Sequence, residues 1–173
     1  MVLAKVEGEE AIVTYGYKIK AKATLNADDL YKEIVRWFEH FGYEWKELQY
    51  RKTDFPNGNY RLELLWQGIK KLDDYSKFVI DLHLAADLSN VEVKAETGQT
   101  GKRQKGTFEF RSGANIIKNV KVWEKKPFGK FQARLYDVLI RNRIDQQKTD
   151  AYLEVHKLYD ELKAFLMIYQ TPK

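Results

Sequence analysis

The sequence predicts an α+β domain, a curved antiparallel sheet of about seven strands packed on a long C-terminal helix. Two observations carry this. Apolar and polar residues alternate with period two over most of the chain from Tyr17 to Val122, leaving one wet face that suits antiparallel strands. The period changes to three and four in two places, after Asn26 and after Pro127. A length of 173 residues suits one domain spanning 1–173, which buries roughly 70% of its unfolded surface without a metal or disulfide staple.

In the first strand Tyr17, Ile19, Ala21, Ala23 and Leu25 face one way while Lys18, Lys20, Lys22 and Thr24 face the other. Asn26 then stands where a helix N-cap belongs, with Asp28 and Asp29 in the first turn. Leu30, Ile34, Val35, Phe38 and Phe41 form the apolar stripe of that helix, and Gly42 is its C′ stop. Tyr43 to Lys52 is the second strand, with a phase slip that predicts a bulge near Lys46.

After the turn Pro56-Asn57-Gly58-Asn59, residues Tyr60 to Gln67 and Phe78 to Leu84 read as a hairpin. Its predicted register sets Leu62 opposite Leu82, Leu64 opposite Ile80 and Trp66 opposite Phe78. A second hairpin joins Val91–Glu96 to Phe108–Arg111, with Val93 opposite Phe110 so that Glu92 meets Arg111 and Lys94 meets Glu109. Ile116 to Trp123 is the seventh strand. Phe128, Phe131, Leu135, Val138 and Leu139 then make a helical stripe, interrupted over Asn142–Lys148. Tyr152, Val155, Tyr159, Leu162, Phe165, Leu166 and Tyr169 resume it, and the apolar end Leu166–Tyr169 is either buried or an interface.

The order strand, helix, six strands, helix resembles the helix-grip superfamily of START and polyketide-cyclase-like domains, through element order alone. That resemblance implies a cavity between sheet and C-terminal helix that holds an apolar small molecule.

Candidate chemistry is sparse. The absence of cysteine excludes disulfides, thiolate nucleophiles and Cys-ligated metals. His40, His83 and His156 are dispersed, without the spacing of a metal site. Asp81 and His83 share a strand face, and the predicted register places Glu63 and Arg61 across from them, a mixed-charge surface without a nucleophile. Thr97 to Gly106 contains Gly101-Lys102 but lacks the spacing of a phosphate-binding loop and precedes a strand. It reads as a hairpin tip whose Lys102, Arg103 and Lys105 suit phosphates of a nucleic acid or lipid.

The expected function is therefore non-enzymatic binding of a small hydrophobic ligand, with no cofactor. Trp66, Phe78, Phe110 and Tyr159 are the expected pocket residues, and the hydroxyls of Tyr159 and Tyr169 the polar handles. The alternatives are nucleic-acid or anionic-surface binding through the basic 98–106 loop, supported by a net charge of +5, and homodimerisation through the end of the last helix. Met1 to Glu10 lacks an apolar signal region and no run is long enough to span a bilayer, so a cytoplasmic location is expected.

Overall fold

The computed structural model describes residues 9–73, 75–94, 100–118, 128, 131, 135, 138–139 and 141–170. Among them the alternating segments form five antiparallel strands: β1 (Glu9–Leu25), β2 (Glu44–Asp54), β3 (Asn59–Lys71), β4 (Ser76–Lys94) and β5 (Thr100–Lys118). Helix α1 (Ala27–His40) links β1 to β2, and α2 (Arg141–Ile168) closes the order. The sheet runs β1-β5-β4-β3-β2, so the meander β2 to β5 is completed by β1 at the far edge.

Five strands replace the expected seven because two predicted breaks are not breaks. Ser89-Asn90 stays in the ladder, paired with Lys105 and Gln104, and so joins the fourth and fifth predicted strands into β4. Ser112 to Asn115 pair with Leu82 to Val79, which joins the sixth to residues 116–118 of the seventh, while 119–123 lie outside the described residues. Small and polar residues weaken a strand, but neighbours on both sides keep this one paired.

The registers differ as well. β3 and β4 pair antiparallel with Leu64 opposite Leu84, Trp66 opposite Leu82 and Gly68 opposite Ile80. This is a slip of four residues from expectation, and an even slip keeps every side chain on its predicted face. The pairing of Val93 with Phe110 fails more deeply: Phe110 faces Leu84, and Val93 faces Gly101. An odd slip reverses the faces, so the anticipated Glu92–Arg111 and Lys94–Glu109 pairs do not form; Glu92 stands opposite Lys102.

Both helices pack on one sheet face around a single core. From α1 come Leu30, Ile34, Trp37 and Phe38; from α2 come Ala151, Val155, Leu158, Leu162 and Leu166; from the sheet, Leu64, Trp66, Ile80, Leu82, Phe108 and Phe110. The local signals of α1 hold. The Asn26 side chain accepts from the Asp28 N–H at 3.0 Å. At the other end Gly42 adopts φ +74°, the Gly42 N–H donates to the Glu39 carbonyl, and the Tyr43 N–H donates to that of Phe38. This is a Schellman closure, with the Tyr43 and Phe38 rings in edge contact across it.

Helix α2 runs unbroken through Asn142–Lys148, contrary to the expected interruption. Ile144 is buried there, and Gln147 donates to Asp73 and accepts from the Ser76 hydroxyl, so the turn between β3 and β4 anchors the polar stretch. The stripe residues Phe128, Phe131, Leu135, Val138 and Leu139 are exposed. At the end of α2, Leu166 is buried while Met167 and Ile168 are exposed. Among the described residues no helix is long and apolar enough to cross a membrane.

Candidate binding cavity

A cavity of about 260 Å³ opens between the N-terminal half of α1 and the sheet. Three local features shape it. The Asn26 cap starts α1 immediately after β1, so Leu30, Tyr31 and Ile34 hang over the strands. A bulge between Glu47 and Gln49 shifts the phase of β2 and turns Tyr50 and Lys52 toward the helix side, opposite Leu64 and Leu62. β3, β4 and β5 supply the floor, with Leu62, Leu64, Trp66, Leu84 and Phe108.

The wall is graded. Its inner part is apolar, with Leu30 and Ile34 each 1% exposed and Trp66 and Phe108 both fully buried. Its rim is polar: Asp28, Tyr50, Lys52 and Gln104. Two of these rim groups are already engaged. Lys52 lies 3.0 Å from Asp54 and 4.6 Å from the centre of the Tyr60 ring, and the Asp54 carboxylate raises its pKa. The Gln104 side chain accepts the Ala27 N–H at 2.8 Å, tying β5 to the start of α1.

One inner group is not satisfied. Trp66 Nε1 is buried without a hydrogen-bond partner. The Tyr31 ring packs edge-on against Trp66 with centroids 5.6 Å apart. Burial pushes the Tyr31 phenol up, the neighbouring indole N–H works against that shift, and Glu47 adds to it. Such arrangements of apolar wall and few polar groups are what small-molecule sites are made of.

Of the residues expected to form the pocket, Trp66 lines this cavity. Phe78 and Phe110 are buried core side chains that do not line it, and Tyr159 is half-buried on α2, with its ring 5.5 Å from that of Tyr17. Tyr169 is occupied at the edge of the sheet, where its carbonyl accepts from the Thr24 N–H and its ring lies under Arg103. No family model matches this chain, and no curated protein does.

Tyr31, Tyr50 and Lys52 escaped the sequence reading. Tyr31 sits beside the apolar stripe of α1 rather than in it, and the bulge that reorients Tyr50 and Lys52 was legible only as a phase slip.

The remaining candidates are dispersed. Lys102, Arg103 and Lys105 are exposed residues of β5, not of a hairpin tip, and Thr97 to Gln99 lie outside the described residues. Successive strand residues point to opposite faces, which separates Lys102 from Arg103. Asp81 is opposite Gln67, whose amide donates to it at 2.9 Å, and His83 is opposite Leu65 and Arg111, so Glu63 and Arg61 are not directly across from either. Burial holds the His83 pKa below the usual histidine value. His40 is exposed, and His156 Nε2 shares a 2.7 Å hydrogen bond with the Tyr17 hydroxyl.

Proposed function

We propose that this chain is a binding domain for a small, largely apolar molecule, held between α1 and the strands β2 to β5. The observation that carries the reading is the graded cavity itself. A filled core leaves few voids larger than a water molecule, whereas this space of about 260 Å³ combines an apolar interior with a rim of Tyr50, Lys52 and Gln104. The site lies under α1, where the sequence pointed to the C-terminal helix. The order of elements, with both helices on one face of an antiparallel sheet, keeps the likeness to helix-grip ligand carriers within the proposal.

The test is saturable binding of naphthalene, followed by tryptophan fluorescence, alongside native mass spectrometry of the purified protein for a retained molecule. Saturation should be lost when Leu84, which lines the cavity, is replaced by Trp to fill it. Ile34→Phe is the second filling variant should Leu84→Trp not fold. No saturable signal in the native protein, or the same signal in a folded filled variant, overturns the reading.

A further inference from the structure

We infer that the sheet face turned away from both helices binds the phosphate backbone of a nucleic-acid duplex, along β1 and β5 and without reading its sequence. The inference is independent of the cavity, which opens on the helix side of the sheet.

Alternation along β1 places Lys18, Lys20 and Lys22 on this face, since Ile19, Ala23 and Leu25 are buried in the core on the other. Opposite the three lysines on β5 stand Arg111, Glu109 and Thr107, and Lys105 stands opposite Thr24. All five cations are exposed. Glu109 is the one acid in these two rows. Although it is level with Lys20, its carboxylate goes to Lys18 at 3.2 Å and to Arg111 at 2.7 Å. Lys20, Lys22 and Lys105 are left with no acid partner among the described residues. Cations gathered without counter-charges build a local positive potential that draws in a polyanion.

The geometry selects which polyanion. Alternate residues of a strand lie about 7 Å apart, so the row from Lys18 through Lys20 and Lys22 to Lys105 is about 20 Å long. One strand of a duplex carries a phosphate every ~3.4 Å along the axis, so such a row meets several phosphates. The two rows hold no aromatic ring on which an unpaired base could stack, which disfavours a single strand. On the adjoining strands Asp87 lies beyond Thr107, and Glu63 lies two strands beyond Glu109. A flat anionic bilayer would press on those acids together with the lysines, whereas a rod lying along β1 meets the row alone. Contacts to phosphate fix position and carry no base information.

The experiment follows a fluorescein-labelled, mixed-sequence duplex of about 16 base pairs by anisotropy, between about 50 and 200 mM salt. Four neutralised phosphates set the log–log slope of affinity against salt at about −3 to −4. Lys20→Gln/Lys22→Gln/Lys105→Gln should bring that slope to about −1 and weaken binding at the lowest salt by about tenfold or more. Lys32→Gln/Lys157→Gln/Lys163→Gln removes the same charge from exposed positions on the helices and should leave the slope unchanged. No duplex binding at about 50 mM salt, an unmoved slope in the first triple variant, or an equal fall in both triple variants overturns the proposal. So does tighter binding of the single-stranded oligonucleotide, or binding of vesicles with about 30% phosphatidylserine in place of the duplex.

Discussion

The Phe38 ring of α1 sits on the bare backbone of Gly68 in β3: a Cβ built there would come within 2.4 Å of Phe38 Cε1 and 2.6 Å of Cδ1. This contact seats the C-terminal half of α1 on the sheet, while the N-terminal half stands off over the cavity. Gly68→Ala should cost about 1–3 kcal/mol through overpacking. Because the obstacle is a side chain, Phe38→Leu should relieve it. The double variant should be less destabilised than the two singles added together, by more than about 0.5 kcal/mol in urea denaturation. Additive effects would show that the ring does not press on this position.

Gly106 makes the opposite case. A Cβ there would lie 1.9 Å from the Asp87 carbonyl oxygen and 3.1 Å from Leu88 Cα, both backbone atoms of the paired strand. No side chain can move aside, so the β4–β5 ladder itself has to open. Gly106→Ala should cost more than about 3 kcal/mol, or leave no folded protein, and no second-site side-chain truncation should rescue it. A near-native urea midpoint would contradict the close pairing at this point.

Glu154 of α2 gathers two groups from the sheet side. The Tyr43 hydroxyl donates to its Oε2, and Lys70 Nζ lies 2.7 Å from its Oε1. Glu154→Ala should cost about 1–3 kcal/mol because it leaves a half-buried ammonium and a buried phenol unpaired, and Tyr43→Phe about 1 kcal/mol. Burial first, and Glu154 second, push the Tyr43 pKa well above its ordinary value of 10.0. A raised folded-state pKa stabilises fully below pH 10 and loses that contribution as pH rises further. Spectrophotometric titration should find this phenol protonated when exposed tyrosines have ionised, and Tyr43→Phe should flatten the alkaline stability limb.

Asp73 should govern the acid limb. Burial alone would raise its carboxyl pKa, but donation from Gln147 and from the Tyr75 and Ser76 N–H groups outweighs it and holds the value below 3.8. A depressed folded-state pKa stabilises above the unfolded value and loses that contribution as pH falls through the folded one. Asp73→Asn should therefore lower the urea midpoint at pH 7 and reduce its drop below about pH 4. An acid limb as steep as the native one would assign it to other carboxylates.

What the sequence determined by itself is local. The Asn26 cap, the Gly42 stop, the faces of Tyr17–Leu25 and of Leu62–Trp66, and the α+β class were all legible, because caps and alternation depend on residues within one turn or one strand. The register was not. Leu64 can pair with Ile80 or with Leu84 and keep the same face, and the choice falls to the whole sheet, where Leu84 must also meet Phe110. The strands ran on through Ser89-Asn90 and Ser112–Asn115 for the same reason, since ladder neighbours outweigh weak local propensity. The cavity is still further from the sequence. It exists because Phe38 on Gly68 lowers one end of α1, while the bulge after Glu47 sets Tyr50 and Lys52 beside the other. A void is the space left by segments distant in the chain, so only their packing decides where it lies.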